Sequence, residues 1–295
     1  MMSTFVPNSI YRSQEAYNRV MALYDSVLSQ WPVNYESSEV PTRYGQTEVV
    51  IAGPSDAPPL VLLHGAQVNL TTWLPHIAIL SSKFRCYCID IIGEGGKSAP
   101  TRLARKGQEH VDWLRDVLDW LKLDAVSLVG TSLGGWLALQ TAAHAPDRVR
   151  CVVAISPVIF APVRLQLALR GMPAILFPSR YTITALTRYI AAPHLPMDPG
   201  MVDMMLLLFK SIKANPYQPS TASDSLLRKI TCPTLVMVGE SEKFNNPQQI
   251  VERAKRLIPQ VTTEIIAGAG HLLPAEQPDK VNDLTLRFLE QHAEK

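Results

Sequence analysis

Residues 126–135 read Val126-Ser127-Leu128-Val129-Gly130-Thr131-Ser132-Leu133-Gly134-Gly135. The opening residues form a short, mostly apolar run, as in a strand buried on both faces. From Leu133 the sequence continues as a helical stretch that Pro146 closes. A strand, a glycine-flanked serine and a helix, in that order, form the context in which G-x-S-x-G reads as a nucleophile elbow. Glycine is needed at 130 and 134 because so tight a turn leaves no room for Cβ atoms beside the serine. The serine takes a strained conformation that presents its Oγ. The helix N-terminus beyond it aims free N–H groups and a positive dipole end at the place where an oxyanion would form.

On either side of the elbow the same alternation continues. Residues 47–52 (TEVVIA), 60–63 (LVLL), 84–90, 151–156, 234–239 and 261–266 read as strands. Residues 111–121 carry apolar side chains at 111, 114, 117, 118 and 121, one face of a helix. A last helix over about 278–292 places Val281, Leu284, Phe288 and Leu289 on one side. Strands alternating with helical crossovers predict an α/β fold with a mostly parallel sheet of about eight strands, covered on both faces.

Two segments depart from the pattern. Residues 1–39 hold one helical run, Val20 to Trp31, stopped by Pro32, which is read as a packing helix, or else as a lining at a pocket mouth, and is assigned as an N-terminal helical extension. Residues 157–229 contain 9 of the 23 prolines and 5 of the 9 methionines, with no Glu, 3 Asp and 8 Lys+Arg, for a local charge of about +5. Short helices broken by proline, inserted between two core strands, predict a helical cap over 157–230. The core then comprises 40–156 and 231–295. In the cap, Met201, Met204, Met205 and Leu208 recur at helical steps. They either pack into the cap's own core or roof a substrate pocket above Ser132, where flexible methionine suits hydrophobic groups.

Three further segments supply partners for the serine. His271 follows the last strand on the small-residue loop Ala267-Gly268-Ala269-Gly270 and is the candidate general base. The elbow motif requires the chain order serine, acid, histidine. The strand 234–239 ends in Gly239-Glu240-Ser241-Glu242, and Glu242 lies 29 residues before His271. Glu242 is the candidate acid, with Glu240 its competitor. In Leu62-Leu63-His64-Gly65-Ala66, the residue after His-Gly can offer its N–H to an oxyanion beside the N–H following the nucleophile, which names Ala66 and Leu133. His64 is read as bracing that loop. The glycine-rich stretch Gly93-Glu94-Gly95-Gly96-Lys97-Ser98 lacks the G-x-x-x-x-G-K-[ST] spacing of a phosphate loop.

Composition narrows the function classes. The chain has 295 residues, 47% hydrophobic and 18% charged, so it has ample material for a core and is not a disordered polyelectrolyte. A net charge of +2 gives no argument for a nucleic-acid or membrane partner. Four cysteines without ligand spacing argue against both a disulfide scaffold and a structural zinc site. Residues 1–19 show no basic stretch followed by an apolar one, and the expected compartment is the cytoplasm.

The sequence resembles the α/β-hydrolase superfamily in His64-Gly65, Asp90…Gly93…Gly95…Ser98, Gly130-Thr131-Ser132-Leu133-Gly134-Gly135, Gly239…Glu242 and Gly270-His271. The likeness covers about 40–156 and 231–295. More narrowly, Thr42-Arg43-Tyr44-Gly45, Ser81-Ser82-Lys83-Phe84-Arg85 and Asp90-Ile91-Ile92-Gly93 resemble bacterial carboxylesterases of the naproxen-esterase type. The resemblance implies hydrolysis of small-molecule carboxylic esters through an acyl-enzyme, without metal or cofactor. It also supports Glu242, since that group is expected to carry Glu at the acid position. Serine at 132 argues against the dehalogenases and epoxide hydrolases of this fold, which use Asp there. Lactonase, thioesterase and carbon–carbon hydrolase activities use the same triad, and a ligand-binding receptor that kept the triad is the non-enzymatic alternative.

Overall fold

The computed structural model describes residues 10–194 and 196–293. Eight strands form one sheet: β1 (Tyr35–Thr42), β2 (Gly45–Ala52), β3 (Pro59–Leu63), β4 (Arg85–Ile89), β5 (Val126–Thr131), β6 (Val149–Ile155), β7 (Thr234–Gly239) and β8 (Val261–Ile266). Their spatial order is β1-β2-β4-β3-β5-β6-β7-β8. β1 and β2 are antiparallel to their neighbours, and every other pair is parallel. The central strands carry the continuous apolar runs seen in the sequence, because both of their faces meet helices.

The helices are α1 (Gln14–Leu28), α2 (Leu74–Leu80), α3 (Gln108–Trp120), α4 (Leu133–His144), α5 (Leu165–Leu176), α6 (Arg180–Ile190), α7 (Pro199–Ser211), α8 (Asp224–Leu227), α9 (Pro247–Leu257), α10 (Leu273–Glu276) and α11 (Pro278–His292). The pleat sends alternate residues of one strand to opposite cores. Val61 and Leu63 of β3 join α3, α4 and α9 on one face, while Leu60 and Leu62 join α1, α2 and α11 on the other. All four cysteines are buried as free thiols. α4 is apolar around its whole circumference and buried from Leu133 to Ala143, as such a helix must be.

Between β6 and β7 the chain leaves the sheet and forms α5 to α8. Leu167, Ala174, Ile183, Leu186, Ile190 and Val202 make a separate small core there. α1 joins the two parts. Its Tyr24 and Leu28 pack on the sheet, whereas Val20 and Met21 pack with Leu208 and Ile212 of the inserted segment. The sheet also begins earlier than the sequence suggests. Tyr35–Thr42 (YESSEVPT) is an edge strand that begins inside the stretch assigned to the helical extension and runs into the start of the assigned core. With one exposed edge and mostly exposed side chains, it needs no apolar pattern.

Candidate active site

The elbow sits between β5 and α4. Ser132 adopts φ 53° and ψ −105°, a left-handed conformation that a non-glycine residue occupies only when its surroundings hold it there. Its N–H donates to the Ile155 carbonyl at 2.8 Å, and its own carbonyl accepts the Trp136 N–H at 2.9 Å. The glycines are required by contact. A Cβ on Gly134 would lie 2.0 Å from the Leu63 carbonyl oxygen, and one on Gly130 would lie 2.2 Å from the Gly134 oxygen.

His271 reaches the serine from the loop after β8. Its Nε2 lies 3.1 Å from Ser132 Oγ, and its Nδ1 lies 2.7 Å from Glu242 Oε2. Glu242 is buried, and its other oxygen accepts the Phe244 N–H at 2.7 Å. Burial opposes its charge, but the adjoining imidazole and the N–H groups of Phe244 and Lys243 outweigh that and hold its pKa below the usual carboxylate value. An ionised carboxylate can only accept, so Nδ1 carries the ring proton and Nε2 is left to accept from the serine hydroxyl. Glu240 points elsewhere: it is exposed and accepts the Gly268 N–H at 3.1 Å.

The histidine is also held by the loop after β7 and by the helices inserted between β6 and β7. The Phe244 ring stacks on the imidazole with centroids 3.7 Å apart. The His271 N–H donates to the Ile190 carbonyl at the end of α6, at 2.8 Å. Glu276 accepts from Gly270 N–H at 2.5 Å and from Ala192 N–H at 2.8 Å, which ties the histidine loop to the inserted helices.

The turn at His64-Gly65-Ala66 passes beside the elbow, since a Cβ on Gly65 would lie 3.8 Å from Ser132 Cβ. His64 is fully buried. Its Nδ1 bonds the Gly65 carbonyl at 2.7 Å and its Nε2 accepts the Ile91 N–H at 2.9 Å. Burial pushes its pKa down, so the ring is neutral and serves as a brace between two loops. Leu133 occupies the first position of α4, where an N–H has no intrahelical acceptor. Ala66 is exposed at the turn, and its neighbour Gln67 sits at φ 63°. That strained residue is pinned because its N–H donates to Glu94 Oε2 at 2.7 Å, while the other Glu94 oxygen pairs with Arg105. Both charged side chains are about 5% exposed or less.

Glu94, Arg105, Glu276 and Phe244 were not singled out in the sequence. Glu94 had a weak signal, as a charge inside a glycine-rich loop. The others act through contacts across 6 to 84 positions of chain, which no local pattern carries.

The methionine helix divides its contacts. Met204 packs against the cluster formed by Ile10, Tyr11, Val20 and Met21 with Leu208 and Ile212, as does Val68 of the His64-Gly65-Ala66 turn region. Met205 packs on the small core of α5, α6 and α7 together with Leu272 and with Phe244, whose ring stacks on His271. Met201 is half-buried, and Leu208 is buried against Ile10, Tyr11, Val20 and Met21. Two surface hollows of about 500 and 600 Å³, lined by residues such as Phe160 and Arg253 or Asp147 and Arg150, contain none of Ser132, Glu242 and His271.

A serine on an elbow at the carboxyl end of a parallel strand, with these surroundings, places the chain in a known class. It belongs to the alpha/beta hydrolase family, which it matches over residues 60–284. Among its relatives are two proteins of Bacillus subtilis (strain 168). The chain is 34% identical to the uncharacterized carboxylesterase nap over 278 residues, covering 92% of each chain. It is 35% identical to carboxylesterase YbfK over 290 residues, covering 95% of this chain and 96% of that one. The crystal structure of naproxen esterase (carboxylesterase NP) from Bacillus subtilis superposes with a TM-score of 0.87 at 32% identity, over 94% of this chain and 99% of that chain.

Proposed function

We propose that this protein is a carboxylesterase that hydrolyses small, hydrophobic carboxylic esters through a Ser132–His271–Glu242 triad. The observation that carries this reading is the unbroken run of contacts from Ser132 Oγ through both ring nitrogens of His271 to a buried, ionised Glu242. Ser132 Oγ attacks the ester carbonyl while His271 Nε2 takes its proton. Glu242 keeps the imidazole in the working tautomer and stabilises the imidazolium. The N–H groups of Ala66 and Leu133 receive the oxyanion. His271 then protonates the departing alcohol, and afterwards it activates a water that releases the acid. Water attack and alcohol departure use the same nitrogen, so the cycle needs no second base.

Cap residues support an apolar substrate. Met205 packs on the same small core as Phe244 and Leu272, and Met204 on the same cluster as Val68, and both are assigned to a roof over the serine. Met201, half-buried on the same helix, is assigned to that roof, whereas Leu208 is buried against Val20 and Met21 of α1. The methionine thioethers adapt to bulky acyl or aryl groups. The cytoplasm is the proposed compartment, in keeping with four buried thiols. Among the described residues no helix is long and apolar enough to cross a membrane.

The test is turnover of a nitrophenyl ester series by the wild-type protein and Ser132→Ala. The wild type should turn over and the variant should lose at least about a hundredfold in kcat, since loss of a triad member usually costs far more. A fluorophosphonate probe should label only the wild type. Turnover confined to thioesters, lactones or a vinylogous carbon–carbon bond would move the assignment to another hydrolase with the same triad. Absence of both turnover and labelling would leave a ligand-binding receptor.

A further inference from the structure

Helix α5 is apolar on two opposite sides, and among the described residues only one of them is covered. At about 100° per residue, Leu167, Gly171 and Ala174 share a face, and they are buried in the small core of the cap. Leu165, Leu169, Met172 and Leu176 fall on the opposite side, within about 60° of one another. These four are 47–73% exposed, and Phe177 and Tyr181 extend the stripe at 73% and 83%. A helix apolar around its circumference belongs in a buried setting, and a contiguous exposed stripe of this kind marks an interaction surface.

The charge around the stripe is predominantly positive. Residues 157–197 contain Arg164, Arg170, Arg180 and Arg188 and no Asp or Glu, a net charge of +4. All four are exposed. Arg180 pairs with Asp203 of α7, and Arg170 lies over the Tyr189 ring at 4.5 Å, which leaves its charge free. The net charge of +2 for the whole chain conceals this concentration.

We propose that the exposed face of α5, with Phe177 and Tyr181, seats the protein on an anionic lipid surface. The apolar stripe enters the boundary between headgroups and acyl chains, and the arginines meet the headgroup charge. A second copy of the chain is a poorer occupant, because two-fold pairing of this face would bring the two arginine sets together. The location suits an enzyme for apolar esters. The Arg164 N–H, at the start of α5, donates to the Phe244 carbonyl at 3.1 Å, and Phe244 stacks on His271. The docking face therefore begins one residue after a backbone bond to the triad's stacking partner. This surface does not depend on the ester reading, because its test measures binding without turnover.

The intact protein is sedimented with vesicles of phosphatidylcholine alone and with vesicles containing phosphatidylglycerol, at low and high salt. Partition onto the anionic vesicles, weakened by salt, is expected. The double variant Leu169→Ser/Leu176→Ser should reduce it at least about tenfold, since each buried methylene contributes to the anchoring. Arg164→Gln/Arg170→Gln should reduce it and flatten its salt dependence. Both variants should keep the wild-type circular-dichroism spectrum and melting temperature, so that a loss of partition reports the surface and not the fold. Failure of the wild type to partition at low salt, or undiminished partition of the leucine variant, overturns the proposal. So does a light-scattering mass showing a wild-type dimer that the leucine variant converts to monomer, because a second copy would then be what covers the stripe.

Discussion

Replacing Glu242 by glutamine isolates what its charge does. The amide has nearly the same shape, but only one of its two termini can accept a hydrogen bond. In the wild type both oxygens accept, one from His271 Nδ1 at 2.7 Å and one from the Phe244 N–H at 2.7 Å. The amide oxygen satisfies the fixed backbone N–H, and the NH2 then faces Nδ1. The imidazole must present Nδ1 as an acceptor, so its proton moves to Nε2, which lies 3.1 Å from Ser132 Oγ and can no longer take the serine proton. The carboxylate that stabilised the imidazolium is also lost. Together these changes should lower kcat about 10⁴-fold, as a wrong tautomer does in a related triad, which amounts to roughly 5 kcal/mol of activation free energy. Stability should change far less, by about 1–2 kcal/mol, because the backbone bond and the packing remain. The sign of its pH dependence follows from the depressed pKa of Glu242. Its stabilisation is complete above the unfolded carboxylate value and is lost as pH falls through the folded one, so wild type and variant should converge in strongly acid solution. Steady-state kinetics on a nitrophenyl ester, with urea denaturation at neutral and acid pH, check both parts. Retention of more than a tenth of wild-type kcat would refute the tautomer argument. Glu240→Gln, at the exposed competitor, should leave kcat within about twofold, in line with surface substitutions away from the chemistry.

Glu94→Gln should lower kcat about tenfold with little change in KM, because Gln67 and the adjoining Ala66 N–H lose a charged anchor that acts on the oxyanion. Affinity for a trifluoromethyl ketone that forms a hemiketal with the serine should fall in step, and a loss confined to melting temperature would show a purely structural role. Met205→Ala should shift the kcat/KM ratio of bulky to short esters by about tenfold, the worth of ~1–3 kcal/mol of pocket contact. Unchanged ratios with a lower melting temperature would place Met205 in the cap core alone. Burial, reinforced by Asp90, raises the Glu48 pKa to about 7. The unfolded carboxyl ionises first as pH rises, so stability should fall between about pH 4.5 and 7 by up to ~3 kcal/mol, and Glu48→Gln should flatten that slope in urea titrations.

Much of this protein is legible in its sequence because the deciding features are local. A parallel strand buried on both faces must be apolar along its length, so 60–63 and 126–129 announce themselves. The elbow is equally local: Gly130 and Gly134 are imposed by carbonyl oxygens about 2 Å from where a Cβ would stand. Chain order and loop position also point to His271 and to an acid after β7. Tyr35–Thr42 is hidden for the opposite reason, since a polar edge strand is defined only by the partner that pairs with it. Tertiary structure alone decided which glutamate faces His271, because two residues of loop path separate Glu242 from Glu240 and both carry the same chemistry. It alone brought Glu94 to Gln67 and Phe244 onto His271. It alone left one side of α5 uncovered, since an apolar helix reads the same whether its second face meets protein or solvent. Sequence records what a segment can bury and how sharply it can turn. Which partner it meets is fixed when the whole chain closes.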